Sequence, residues 1–238
     1  MSITELTYGG ISRAVLAAVN PFKKAVRLTE CKVHQRINLQ ALQILKNDGY
    51  LDCCDFFMNY LSALNEGVVW ADQDFKSIQH FYHPYTHKGA YGQKNARTLS
   101  EGYYHLAQKY WRRGNLRKAI FFMGATVHLI QDATIPQHAN IRFLEHHKQY
   151  ERFVKKLYED SSLLKAVNGC LEFDEIREYV QFNARNALRV YKMFRHIKES
   201  QRQFYYIAQS SLPMAERTTA GCLLMFYRFT TSENPECQ

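Results

Sequence analysis

The chain contains no C-x-x-C pair and no evenly spaced cysteine framework, which argues against a disulfide-stapled fold. Its six cysteines are Cys31, Cys53, Cys54, Cys170, Cys222 and Cys237, and the adjacent Cys53 and Cys54 sit in an apolar helical run as buried, reduced thiols. Proline and glycine are sparse, at five and eleven residues, and there is no low-complexity run or internal repeat. No apolar stretch approaches the ~20 residues that a membrane-spanning helix needs. The segment from Ile11 to Val19 is short, is interrupted by Arg13 and follows the acidic Glu5, so it makes a poor signal peptide. Together with the cysteines, this favours a cytoplasmic chain. Val15, Leu16 and Val19 would share one side of an amphipathic helix, which could touch a membrane or dock on the protein itself.

With 238 residues and 46% hydrophobic content, the chain can bury one sizeable core in a single domain. Apolar residues recur at helical spacing over about 30–47, 51–66, 94–112, 115–135, 143–158, 173–197 and 200–229, and little reads as strand. Breaks are expected at Asn47-Asp48-Gly49, over 83–92, at Gly114 and at Asn168-Gly169. The aromatics Tyr103, Tyr104, Tyr110, Phe121, Phe122, Tyr205, Tyr206, Phe226 and Tyr227 fall at helical spacing and read as core. The net charge of +9 favours anionic partners, either phosphate-bearing lipid surfaces or nucleic acid. The basic clusters (Lys23-Lys24, Arg112-Arg113, Arg117-Lys118, Lys155-Lys156) are scattered, and solvated faces explain each of them.

The segment G-A-T-V-H-L-I-Q-D-A-T-I-P-Q-H-A-N holds the densest chemistry. His128 and Asp132 are four residues apart on an apolar helix and share a face. Pro136 disfavours the helical conformation at Ile135, which turns the chain so that His138 can return to the same place. Such a pair can be a helix-stabilising contact. Two imidazoles and a carboxylate gathered on a hydrophobic helix are costly to bury without partners, however, and a metal supplies the partner.

A second i,i+4 pair, His147 and Glu151, lies on a helix striped by Phe143, Tyr150, Phe153, Val154 and Leu157. With His138 it makes a His2Glu set, which suits a catalytic zinc with an open position. The neighbouring His146 points about 100° away and reads as exposed. Upstream, His34 opens a helical pattern, Asp72 ends an apolar run in G-V-V-W-A-D, and His80 lies in Q-H-F-Y-H-P. His83, His87, His105 and His196 read as ordinary surface or core residues.

The order His34, W-A-D ending at Asp72, H-F-Y starting at His80, H-x3-D-x5-H and H-x3-E resembles the zinc-dependent phospholipase C family over about residues 30 to 155. The resemblance implies an all-α, single-domain helix bundle, also shared with the P1-type nucleases, spanning residues 30–238 behind an N-terminal segment 1–29 of no assigned role. It implies a Zn2+ cluster of two or three ions at one end of the bundle. His80, His128 and Asp132 would hold one ion, His138, His147 and Glu151 a second, and His34 with a bridging Asp132 a third. Asp72 would be the general base and not a ligand. The implied reaction is attack of a zinc-bound water on the phosphorus of a phosphodiester, with a phospholipid headgroup as the expected target and peripheral contact with an anionic membrane surface.

The chain also departs from the family. Its secreted members complete the third site with an N-terminal Trp, whereas the first Trp here is Trp70. A processed N-terminus near Pro21 to Lys24 would still chelate through its backbone. Cys31 is close enough to be considered as a ligand, but it reads as a core thiol. The short Asp72–His80 spacing, with Gln73 where an aromatic is expected, leaves the headgroup unassigned. Two other readings stand beside the phospholipase. One is a related zinc nuclease acting on nucleic acid, against which Glu151 and H-F-Y argue. The other is a non-catalytic metal-binding helical protein, against which Asp72 argues. Family members are commonly exported, in opposition to the cytoplasmic leaning of the cysteines.

Overall fold

The computed structural model describes residues 31–73, 76–90, 94–141, 147–160 and 164–233. Among them are nine α-helices and no strand. They are α1 (Lys32–Asn47), α2 (Leu51–Asn59), α3 (Leu61–Ala71), α4 (Ala96–Arg112), α5 (Leu116–Asp132), α6 (Pro136–Ala139), α7 (His147–Asp160), α8 (Ile176–Phe194) and α9 (Ser200–Ser232), with a 3-10 turn at Lys76–His80. The all-α expectation holds, and the breaks expected at Asn47-Asp48-Gly49, Gly114 and Asn168-Gly169 all fall between helices. Gly49 (φ +91°) and Gly114 (φ +70°) end α1 and α4 in the left-handed region that glycine enters without strain. Asn95 opens α4 with a capping box, and the Asn115 side chain accepts from Lys118 N at the start of α5.

Beyond shifts of a few residues at several ends, two expected helices are divided or cut short. The stretch 51–66 is divided at Tyr60, whose backbone (φ −115°, ψ 16°) leaves the α region, and the second piece runs on to Ala71. The stretch 115–135 stops at Asp132, because Ile135 is extended ahead of Pro136. The segment 1–29, with its amphipathic-helix expectation, lies outside the described residues, as do His146, Phe143 and Cys237.

Helix α5 is the centre of the bundle. Every residue from Met123 to Asp132 is buried, between α3 on one side and α4 on the other. The α3–α5 crossing is unusually close. A Cβ on Gly67 would lie 1.8 Å from Phe121 O, and one on Gly124 would lie 1.9 Å from Leu64 O, so both positions require glycine for backbone contact. Helix α9 packs along α1, α8 and α5. A second apolar cluster, including Tyr150, Val154, Phe204, Ile207 and Leu212, fastens α7 to α9, and Phe153 and Leu157 pack against it as the apolar stripe required. The aromatic residues of α4, α5 and α9 are mutual packing partners, such as Tyr104 with Phe226 and Tyr110 stacked on Phe122.

Candidate metal centre

Helix ends bring the polar residues together. His128 and Asp132 occupy the last turns of α5, with His128 Nε2 3.2 Å from Asp132 Oδ2. After Asp132 the chain turns at Ile135, and Pro136 takes the first position of α6, where its missing N–H is harmless. That short helix returns His138 to the site, with Nδ1 3.5 Å from Asp132 Oδ2 and the ring stacked on Phe81 at a centroid distance of 4.9 Å. His34 comes from the first turn of α1, Asp72 is the C-cap residue of α3, and His80 closes the 3-10 turn.

Asp132 is the hub. His80 Nδ1 lies 2.7 Å from its Oδ2, and His34 Nε2 lies 3.5 Å from its Oδ1, so four imidazoles face the two oxygens of one buried carboxylate. Burial pushes the Asp132 carboxyl up, but His128 and His138, with hydrogen bonds from His128 and His80, outweigh burial and hold it well below the usual carboxylate range. His34 is displaced downward, first by burial and then by the neighbouring His128, so its neutral form is favoured. His80 Nε2 faces the Ala71 carbonyl at 3.2 Å, the kind of outer contact that orients a metal-binding imidazole.

The donor set suits zinc. Two ligands on one tetrahedral Zn2+ with bonds of roughly 2.0–2.1 Å are about 3.3 Å apart. The separations of 3.2 Å from His128 and 3.5 Å from His34 to Asp132 match that spacing, whereas His80 is nearer, at direct hydrogen-bond distance. Two triads have ligand atoms mutually within 4.8 Å, namely His34, His128 and Asp132, and Asp72, His80 and His128. Asp72 therefore stands close enough to ligate as well as to orient water, a proximity its sequence position does not reveal. The backbone of α7 keeps Glu151 one helical turn after His147. The His147 side chain lies outside the described residues, so the set His138, His147 and Glu151 stays an expectation.

Sequence reasoning missed three polar residues around His34. Gln131 Oε1 is 2.8 Å from His34 Nδ1, and Gln131 Nε2 donates to Asn38 Oδ1 and Thr219 Oγ1. No spacing rule marks an amide beside a ligand, and the three come from α5, α1 and α9. Cys31 is buried in the core as expected, and its thiol also donates to Asp72 Oδ2 at 3.8 Å. Among the described residues no disulfide joins the cysteines, and no helix is long and apolar enough to cross a membrane.

Comparison with known proteins gives the chain a family. The chain is 26% identical over 232 residues to a phospholipase C of Clostridium novyi, covering 82% of this chain and 58% of that protein. It is 24% identical over 243 residues to a phospholipase C of Clostridium perfringens, covering 84% of this chain and 60% of that one. The fold matches the alpha toxin of Clostridium absonum with a TM-score of 0.72 and 19% identity, over 86% of this chain and 64% of the toxin. The chain thus spans about three-fifths of the length of these relatives. The model of the zinc-dependent phospholipase C family matches residues 33–207, from the first turn of α1 into α9, and the chain belongs to that family.

Proposed function

We propose that the protein is a zinc-dependent phosphodiesterase of the phospholipase C type, acting on a phospholipid headgroup. The observation that carries this reading is the convergence of His34, His80, His128 and His138 on the single carboxylate of Asp132, with Asp72 in the same group as His80 and His128. Bound zinc supplies Lewis acidity toward a phosphoryl oxygen and lowers the pKa of water near it.

The chain's own residues do the rest. Asp132 would serve two zinc sites, with its Oδ1 toward His34 and its Oδ2 toward His80 and His128. His138 would join His147 and Glu151 at a further site, for three zinc ions per chain with a complete partner set at His34 and two without one. Asp72 orients the attacking water and takes its proton as the water oxygen bonds to phosphorus and the phosphorus–oxygen bond to the glyceride breaks; a proton returned to the glyceride oxygen, from Asp72 or solvent, releases diacylglycerol and a phosphorylated headgroup. The unit doing this chemistry is residues 30–238. The positive charge of the chain suits peripheral contact with an anionic bilayer. The alpha-toxin neighbour favours an exported protein over the cytoplasmic one suggested by the cysteines.

The deciding experiment is elemental analysis of protein purified without added metal or chelator, paired with headgroup release from phospholipid vesicles. Zinc at two or three per chain, with release that chelator abolishes and zinc restores, supports the reading. Zinc-loaded protein that releases no headgroup from any phospholipid class, or that cleaves single-stranded nucleic acid instead, overturns it.

A further inference from the structure

Gln131 precedes Asp132 on α5 and is 1% exposed, and the reaction scheme makes no use of it. Its side chain is held at three points. Nε2 donates to Asn38 Oδ1 at 2.9 Å and to Thr219 Oγ1 at 3.1 Å, while Oε1 faces His34 Nδ1 at 2.8 Å. Asn38 is itself oriented, because its Nδ2 donates to Asn65 Oδ1 at 2.9 Å and so leaves Oδ1 turned toward Gln131. Flipping the Gln131 amide would set oxygen against oxygen at Asn38. In the structure the amide is held in this orientation by Asn38 on α1 and Thr219 on α9, with Asn38 in turn held by Asn65 on α3. With an oxygen held against it, His34 Nδ1 carries the proton. In the neutral ring Nε2 is then a bare lone pair, and it faces Asp132 Oδ1 at 3.5 Å. Two acceptors confront each other at about the spacing of two ligands on one zinc.

We propose that Gln131 is a positioning residue that holds His34 in its Nδ1–H tautomer, so that Nε2 serves as a zinc ligand on the Asp132 side, and that Asn38 and Thr219 act by locking the Gln131 amide. The inference rests on the zinc-centre reading above and adds which residues decide the His34 site. Outer contacts of this kind orient a ligating imidazole and fix its tautomer, and their loss weakens metal binding by about 10- to 100-fold.

The test uses the full chain and two readouts besides turnover. Long-range 15N–1H correlation of the histidine rings, on chelator-treated protein at alkaline pH, reports the His34 tautomer, and zinc titration against a competing chelator reports each affinity. The wild type should show Nδ1–H at His34. Gln131→Met, close in volume and lacking the amide acceptor, should shift the tautomer and weaken one zinc about 10- to 100-fold, leaving the remaining zinc affinities unchanged. Thr219→Val removes one lock bond with little change in shape and should move both readouts the same way by less. It carries the test if Gln131→Met does not fold. An Nε2–H ring in the wild type overturns the inference, and so does either folded variant binding every zinc as tightly as the wild type. A wild type that binds no zinc overturns the metal reading and the ligand role of His34 with it. A zinc-loaded wild type matched by its variants overturns the inference alone.

Discussion

Asp132 faces four imidazoles, whereas Asp72 lies beside His80 and His128 and accepts from the Cys31 thiol, and substitutions should separate the roles of the two carboxylates. Asp132→Asn keeps the shape but turns one carboxylate oxygen into an NH2 that cannot ligate and leaves the other a neutral, weaker donor, so zinc content should fall by two per chain if the residue bridges. A loss of one zinc or none sinks the bridge. Asp72→Asn should keep the zinc and reduce turnover by about 10²- to 10⁴-fold, the usual contribution of a positioned base. Because Asp72 lies within ligand distance of His80 and His128, zinc lost from this variant would make it a ligand instead. Acid should also reveal the centre in metal-free protein. His34 is displaced down from 6.5 and Asp132 down from 3.8, so on acidification the unfolded chain takes up both protons before the folded one does. Stability is then full above the unfolded values and falls as pH drops through them, first below 6.5 and again below 3.8. Urea midpoints measured across pH should fall in the upper window, and His34→Gln should remove that fall. A midpoint flat around 6.5 in the wild type would dispose of the His34 contribution.

The elements that deliver these residues depend on how closely helices approach. Helix α5 carries His128, Gln131 and Asp132, and α3 ends at Asp72, so the α3–α5 crossing sets the spacing between base and ligands. That crossing rests on Gly67 and Gly124, where an added Cβ meets backbone oxygen and not a side chain that can move. Gly124→Ala should therefore destabilise the fold by about 1–3 kcal/mol, the usual range for overpacking, and should loosen zinc binding as α5 shifts. Chemical denaturation and zinc titration check the two effects, and an unchanged midpoint would mean that the helices part without penalty. These glycines sit inside strong helical patterns, where sequence marks them only as residues of poor propensity. The division at Tyr60 was likewise illegible, since apolar residues continue across it, whereas the breaks at Gly49 and Gly114 were legible because glycine takes a backbone conformation that other residues resist.

For the molecule as a whole, net charge makes the proposed membrane contact testable. A net charge of +9 without a single basic stripe predicts binding to anionic vesicles that weakens steeply with salt, while neutral phosphatidylcholine vesicles are bound poorly at any salt. Sedimentation with the two vesicle types at rising ionic strength checks it. Equal binding to both would assign membrane contact to apolar residues instead. The chain matches about three-fifths of the length of its phospholipase relatives, and the metal centre falls within the matched family region.

The helical class, most helix limits and the pairing of His128 with Asp132 were determined by the sequence alone, because a 3.6-residue period and i,i+4 spacing are local properties of a chain. The return of His138 was equally local, following from Pro136 and the extended Ile135 before it. His34, Asp72 and His80 were legible only as an ordered resemblance, since nothing within each segment sets it apart. The meeting of His34 and His80 at Asp132, and of Asp72 with His80 and His128, belongs to the tertiary structure, which alone brings α1, the end of α3 and the 3-10 turn onto α5. The lock on His34 is further still from the sequence. Gln131, Asn38, Asn65 and Thr219 stand on four helices, and their hydrogen bonds form only when packing removes the water that would otherwise satisfy each of them separately.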